Sequence, residues 1–389
     1  MTTARNDSSR VHPFDALATI GCVYLALVTF GFAAFRYLAV LPAGAKRNQD
    51  LTFFNSVNAV SLTGFEQVNA AVANYPTLGL IVLSSLALAS AFTSLVGGGY
   101  LFARTVGWHL SLTKLAVWSA GILLLPLLLA FVIGGFNAIS VSTGLGLIAR
   151  PTPTFFWLSI ALLVAGVGVF GVLPVKEFFR SRRSDHDADG LIASVIVATV
   201  LTCVLGTIAL CFCGAPWWAS ATQSLALRSF GNGAGPKLDA SPAMPWVTML
   251  LSLIGAAPAS TAGGLGVLPI VVMIRGAAQS LRGRPIDRLL GVAVAWIASF
   301  VAAIIFFTIA LATLAPAIPS ERVLLLVCSA LGNVGISHEP VGITGASLFA
   351  LSAAMLVGRL LPFVMLAWMA AVAERDPNAR VFKPSLRSP

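Results

Sequence analysis

The sequence is poor in charged residues: Asp, Glu, Lys and Arg make up 10% of its 389 residues, against about 25% in an average soluble domain. So few charged side chains cannot cover the surface of a soluble protein of this size. Hydrophobic residues account for 58% of the chain, and the mean hydropathy is +0.91. The composition therefore excludes a soluble globular domain and predicts a protein whose surface faces lipid.

Cysteine and histidine are also scarce, with five and four copies. No two cysteines form a CxxC pair, and no group of histidine, cysteine and carboxylate residues has the spacing of a metal site. All five cysteines fall in or beside apolar stretches, and we interpret them as small buried side chains. They are Cys22, Cys203, Cys211, Cys213 and Cys328.

Walker, GxSxG and HExxH motifs are absent from the sequence, and we predict neither an enzyme nor an organic cofactor. The formal net charge of +10 does not indicate nucleic-acid binding, because the basic residues are distributed as in a membrane protein. Sixteen of them lie on the same side of the predicted crossings as the amino terminus, and six lie on the other side. This asymmetry predicts a multi-pass protein of the plasma (inner) membrane with a cytoplasmic amino terminus.

Long apolar runs, in contrast, are abundant. The first is too long for the core of a signal peptide and is interpreted as an uncleaved membrane helix. Segments long enough to cross a membrane lie at about 14–41, 75–103, 109–130, 154–179, 189–213, 264–281, 287–315 and 343–373.

A shorter apolar stretch lies between the members of each pair of long segments. Each stretch could form a helix of about two or three turns, which is too short to cross a membrane. These re-entrant stretches lie at about 52–62, 131–142, 244–260 and 322–333. Each leads into residues that include glycine, which we name the first (62–65), second (142–145), third (261–264) and fourth (333–336) glycine segments.

The order of long segment, short stretch, glycine segment and long segment occurs four times, and residues 58–64 resemble residues 137–144. We therefore predict an all-α polytopic membrane protein in which four pseudo-repeated helix–pore-loop–helix units surround a central pore. The whole chain, 1–389, forms one domain. Its units cover about 14–104, 109–180, 189–281 and 287–373.

Non-helical backbone at membrane depth is tolerated only inside protein or beside a water-filled cavity. A ring of backbone carbonyl groups can replace the water shell of a monovalent cation, and glycine allows the unusual backbone angles that such a ring needs. We therefore predict a selectivity filter that binds a monovalent cation. Its residues are Leu62, Thr63, Gly64, Ser142, Thr143, Gly144, Thr261, Ala262, Gly263, Asn333, Val334 and Gly335.

Three stretches resemble motifs of the Trk/Ktr/HKT superfamily of potassium transporters. Residues 255–265 match its third pore loop, close to GxxxxSTAGG[IL], residues 330–337 its fourth, and residues 355–362 the MxxGRxxP run of its last helix. The chain departs from the family at Gly266, where the family usually has lysine. The resemblance implies a pore-forming subunit that acts as a homodimer with cytoplasmic nucleotide-binding RCK subunits. It also implies a preference for potassium, because all four filter positions are glycine.

Arg359 lies in the middle of the last apolar segment, where a charge is costly. The resemblance implies an electrostatic barrier below the filter, and the alternative is an arginine whose charged end reaches the inner surface. Glycines and a proline make a continuous helix unlikely around Gly264 and Gly266, and the resemblance implies that these two glycines are part of a gate. The resemblance places an interruption of the third inner helix near 276–278 or earlier.

Two carboxylates, Glu66 and Glu339, follow the first and fourth glycine segments and could concentrate cations at an outer mouth. His338 could make this mouth sensitive to pH. The predicted function is potassium uptake or conduction. The alternatives are a sodium transporter or ion-coupled secondary transporter with broken helices at its substrate site, and a non-conducting structural subunit of a membrane complex.

Overall fold

The computed structural model describes residues 12–38, 40–42, 48–68, 74–108, 110–134, 186–229, 238–257, 260–261, 263–283 and 288–375. Regular structure in these ranges is helical, and an isolated bridge between Gln67 and Val341 is the β-type pairing that they contain. The predicted all-α class is therefore confirmed. The helices are α1 (Pro13–Tyr37), α2 (Gln49–Val60), α3 (Thr77–Val106), α4 (Leu112–Gly134), α5 (His186–Phe212), α6 (Trp217–Ser229), α7 (Met244–Ile254), α8 (Val267–Leu281), α9 (Arg288–Leu314), α10 (Ser320–Leu331) and α11 (Ala346–Arg375).

Helices α1, α3, α5, α9 and α11 are long and apolar enough to cross a membrane. They lie where the sequence predicts crossings, and α4 covers another at 109–130. The crossing predicted at 154–179 lies outside the described residues. Helix α8 has 15 residues, so it is about 22 Å long and shorter than the roughly 30 Å apolar layer of a bilayer.

Three short helices, α2, α7 and α10, have 12, 11 and 12 residues and lie at three of the predicted re-entrant stretches. Asp50 and Glu321 stand in the first turns of α2 and α10, where the partial positive charge of the helix dipole stabilises a negative side chain. The remaining predicted stretch, the second, at 131–142, differs in part from the prediction. Helix α4 continues through Gly134, and the remainder lies outside the described residues.

Helix α11 is central to the packing, because it contacts α1, α2, α3, α9 and α10. Helices α1, α2 and α3 pack on one another, so the first and fourth predicted units share one core. Glycine allows the closest approaches: a Cβ atom added to Gly358 of α11 would overlap the carbonyl oxygen of Leu331 at the end of α10. Helix α7 packs against α10 and brings the third unit to the same place.

Two features differ from the sequence-based expectation. Helix α6 packs on α5 and α7 and was not predicted, because its 13 residues mix polar and apolar side chains without a long apolar run. Helix α8 is continuous through Gly276, so the interruption expected near 276–278 or earlier does not lie at 276–278. The break lies earlier, as expected for the glycines: α8 begins at Val267, directly after Gly266, whose φ is +77°.

Candidate functional site

The first and fourth glycine segments have the same backbone. Helix α2 ends at Val60 and α10 ends at Leu331. Two residues after each end stands a non-glycine residue with positive φ, Leu62 at 61° and Asn333 at 53°. Two residues further stands a glycine with positive φ, Gly64 at 79° and Gly335 at 77°. Leu62 and Asn333 are the only non-glycine residues with positive φ in the described part of the chain, so the shared pattern is specific to these segments.

These two segments lie side by side. A Cβ atom added to Gly335 would overlap the carbonyl oxygen of Thr63 and would lie 2.6 Å from the carbonyl carbon of Gly64. The side-chain amide of Asn333 donates to Thr63 Oγ1 at 3.1 Å. Beyond the glycines, Val341 donates its backbone N–H to the carbonyl oxygen of Glu66 at 2.8 Å. The segments are thus joined both at the glycines and beyond them.

Side chains of the short helices hold the residue after each glycine. Asn58 Oδ1 accepts from the N–H of Phe65, and Asn58 Nδ2 donates to the Phe65 carbonyl oxygen, both at 2.9 Å. Ser329 Oγ accepts from the N–H of Ile336 at 2.5 Å. In both units the supporting residue stands seven positions before the residue that it holds. The repeat therefore extends from backbone angles to hydrogen bonds.

The third glycine segment joins the site by a different route. Its glycine, Gly263, stands nine residues after the end of α7 at Ile254, compared with four residues in the other two units. The left-handed conformation falls on the next residue, Gly264, with a φ of 83°. A Cβ atom added to Gly263 would overlap the side-chain oxygen of Asn333, so the third segment contacts the fourth.

Four of the predicted filter residues lie outside the described residues. They are Ala262 in the third segment and Ser142, Thr143 and Gly144 in the second. The structure brings together the first, third and fourth segments.

Arg359 lies beside this meeting point. Its side chain is 1% exposed, so it does not extend to an aqueous surface. Its Nε donates to the hydroxyl oxygen of Tyr24 at 2.9 Å, its Nη1 donates to the carbonyl oxygen of Thr261 at 2.6 Å, and its Nη2 donates to Ser94 Oγ. All three partners are uncharged. The guanidinium thus contacts the third glycine segment directly, while α1 and α3 supply its other partners.

The residues predicted at an outer mouth follow the glycine segments. Glu66 and Glu339 are exposed, and Glu339 forms an ion pair with Arg322 at 3.1 Å. His338 Nδ1 lies 3.7 Å from a carboxylate oxygen of Asp239, which stands in a short 3-10 turn before α7.

The sequence alone did not reveal Tyr24, Ser94, Asn58 or Ser329 as site residues. Polar residues such as Tyr24 and Ser94 inside predicted membrane helices were a usable signal, because a buried hydroxyl group in a membrane needs a partner.

No protein-family model and no curated protein matches the chain. Among solved structures, the chain is similar to the crystal structure of the potassium transporter TrkH from Vibrio parahaemolyticus. The TM-score is 0.68 at 14% sequence identity, and the match covers 96% of this chain and 87% of that chain. At this identity the comparison concerns the fold. The chain therefore has the fold of a polytopic helical membrane transporter.

Proposed function

We propose that this chain conducts potassium ions across the plasma membrane through a path lined by the backbone of its glycine segments. The observation that carries the proposal is the repeated backbone of the first and fourth segments. Leu62 and Gly64 in one unit, and Asn333 and Gly335 in the other, take positive φ at the same distances from the end of a short helix.

Alternation of left-handed and ordinary backbone angles allows neighbouring carbonyl groups to face one side without hydrogen-bonding to one another. In a helix the aligned carbonyl groups accept internal hydrogen bonds, and in a strand they point alternately to opposite sides. A cation that has lost its water shell can then be coordinated by several carbonyl oxygens. The carboxyl ends of α2 and α10 directly precede these segments, and their partial negative charge favours a cation nearby. These features support a monovalent cation as the transported species.

Potassium is preferred over sodium in this proposal because glycine occupies the predicted filter position in each of the four segments, and in the Trk/Ktr/HKT superfamily that the sequence resembles this pattern goes with a preference for potassium. TrkH, whose fold this chain shares, is a potassium transporter. We further propose that the chain acts as a homodimer with a cytoplasmic RCK-type nucleotide-binding subunit, and that the charge of Arg359 forms an electrostatic barrier to cations.

The test is Rb⁺ uptake into proteoliposomes loaded with K⁺, with external K⁺ or Na⁺ as competitor. The parent should take up Rb⁺, and K⁺ should compete better than Na⁺. Gly64→Ser should reduce this preference. The matched control is Gly107→Ser, because Gly107 also has positive φ but has open space around it and lies at the end of α3.

Two results would contradict the proposal. Absence of cation uptake by the parent at every nucleotide concentration and pH would support the non-conducting structural subunit. Equal competition by Na⁺ and K⁺ in the parent, unchanged in Gly64→Ser, would support a sodium-coupled transporter instead.

A further inference from the structure

We propose that Tyr24 is a positioning residue for Arg359: its hydroxyl group holds the guanidinium against the third glycine segment and keeps it from turning toward the ion path. This inference rests on the proposed function, because it concerns how a fixed charge affects cation flow. Tyr24 lies in α1, in the first unit, and Arg359 lies in α11, in the fourth.

The hydroxyl groups of Tyr24 and Ser94 share a hydrogen bond that either can donate, and the following assignment uses each hydrogen atom once. The hydroxyl of Ser94 donates to the carbonyl oxygen of Ser90 on the preceding turn at 2.8 Å. The 2.6 Å contact between Tyr24 and Ser94 is then donated by the tyrosine hydroxyl. The lone pairs of both oxygens remain free to accept from Arg359, whose Nε and Nη2 are donors only. Tyr24 and Ser94 therefore act together as an acceptor pair for the guanidinium.

The environment of this pair makes each bond important. Tyr24 is 1% exposed and Ser94 is 0% exposed. The guanidinium is held by two hydroxyl groups and a carbonyl group, with no carboxylate among its hydrogen-bond partners in the described residues. A buried cation whose charge is balanced by neutral dipoles depends on each of them, since an N–H without a partner carries the full cost of its lost hydration.

The same cluster reaches a second glycine segment. Ser90 Oγ donates to the carbonyl oxygen of Val60, the last residue of α2, directly before the first segment. Arg359 donates to the carbonyl oxygen of Thr261 in the third segment. The hydroxyl oxygen of Tyr24 contacts both of these donor side chains: it accepts from Nε of Arg359, and Ser90 Oγ lies 3.2 Å from it. The cluster thus connects the supports of two segments.

The backbone around Arg359 cannot move easily to compensate for a lost partner. The neighbouring residue, Gly358, packs without any space for a Cβ atom against the carbonyl group of Leu331. If the hydroxyl of Tyr24 is removed, the side chain of Arg359 can recover a partner for Nε only by rotating. In the proposed path the available partner is water, and a positive charge that enters the path raises the barrier to cations.

The test compares Tyr24→Phe with Tyr37→Phe in the proteoliposome assay for Rb⁺ uptake. Tyr37 is at the end of the same helix and is 76% exposed, so its hydroxyl is a matched control. We expect Tyr24→Phe to lower the uptake rate about tenfold, the size associated with a lost hydrogen bond to a charged group. Tyr37→Phe should equal the parent.

The decisive measurement is the same substitution in an Arg359→Gln background. If Tyr24 acts through the charge of Arg359, Tyr24→Phe should change uptake by less than about twofold in that background, because no cation remains to be held. A purely structural role would give the same loss in both backgrounds and would overturn the inference.

Ser94→Ala is the second variant, and it should behave as Tyr24→Phe does in both backgrounds. It decides the question if Tyr24→Phe does not elute as a single species in size-exclusion chromatography. If the parent takes up Rb⁺, and Tyr24→Phe and Ser94→Ala both take it up at the rate of Tyr37→Phe, this inference alone is overturned. A parent without cation uptake would instead overturn the proposed function.

Discussion

Gly335 lies against the backbone of Thr63, so that a Cβ atom on the glycine would overlap the threonine carbonyl oxygen and would lie 2.7 Å from the backbone nitrogen of Phe65. The contact joins two segments from opposite ends of the chain through main-chain atoms alone. A side chain at position 335 must therefore displace the backbone of the first glycine segment.

Gly335→Ala should abolish most of the proposed transport. The substitution adds about 1–2 kcal/mol for a left-handed backbone at a residue with a Cβ atom, and the overlap with Thr63 adds to this. We expect Rb⁺ uptake to fall to about a tenth of the parent rate or less. Gly107→Ala is the control, since Gly107 has a φ of 83° but nothing within 4 Å of its added Cβ atom. Equal loss in both variants would show that backbone strain, not the contact with Thr63, is responsible.

Ser329 supports the fourth glycine segment by accepting a hydrogen bond from the N–H of Ile336. Ser329→Ala should leave that buried N–H without a partner, at a cost of about 1–3 kcal/mol. We expect the preference for K⁺ over Na⁺ in the competition assay to decrease, because the segment loses its support. Ser352→Ala is a matched buried control, because its hydroxyl donates to Leu348 on its own helix and its removal strands no donor. An unchanged preference in Ser329→Ala would contradict the supporting role.

The elements of this site that could be predicted from sequence are those that depend on local pattern. Helices α2 and α10 were predictable because short apolar stretches next to glycine cannot cross a membrane. The positive φ of Gly64 and Gly335 follows from the same argument. The third segment was less predictable. The sequence placed Gly263 in register with the others, but the structure gives the left-handed conformation to Gly264, because the connection after α7 is longer.

The partners of Arg359 could not be predicted from local pattern. They come from Tyr24, Ser94 and Thr261, which are separated from it by 335, 265 and 98 positions. None of these three partners is acidic, because neutral oxygen atoms compensate the charge of the guanidinium. The packing of α1 and α3 against α11 brings the oxygen atoms of Tyr24 and Ser94 to Arg359, and the third glycine segment supplies that of Thr261.

Asn333 combines a strained backbone with a side-chain nitrogen whose two N–H groups are shared among three oxygen atoms. Nδ2 lies 2.9 Å from the carbonyl oxygen of Met355, 3.1 Å from Thr63 Oγ1 and 3.2 Å from the carbonyl oxygen of Ala330. Asn333→Ala loses these bonds and retains the cost of its φ of 53°, whereas Asn333→Gly loses the bonds but tolerates that angle. Both variants should unfold at a lower temperature than the parent. The free energy of unfolding of the alanine variant should be lower than that of the glycine variant by about 1 kcal/mol. The measurement is thermal unfolding in detergent. A glycine variant no more stable than the alanine variant would show that the backbone angle carries little cost.

Gly358 sets how closely α11 approaches α10, and hence where Arg359 stands. Gly358→Ala places a Cβ atom onto the carbonyl group of Leu331, which is backbone at the end of a short helix and cannot rotate away. We expect a loss of about 1–3 kcal/mol in the free energy of unfolding, as for other overpacked sites.

The matched control for this prediction is Gly291→Ala, because Gly291 is also in a helix but has nothing within 4 Å of its added Cβ atom. That variant should be as stable as the parent or more stable by about 0.5–1 kcal/mol, since alanine favours the helix. The difference in the free energy of unfolding between the two variants measures how much the close packing of α10 against α11 resists an added Cβ atom. If both variants have the parent's unfolding temperature, the helices can move apart without cost, and α11 does not fix the height of Arg359 beside the glycine segments.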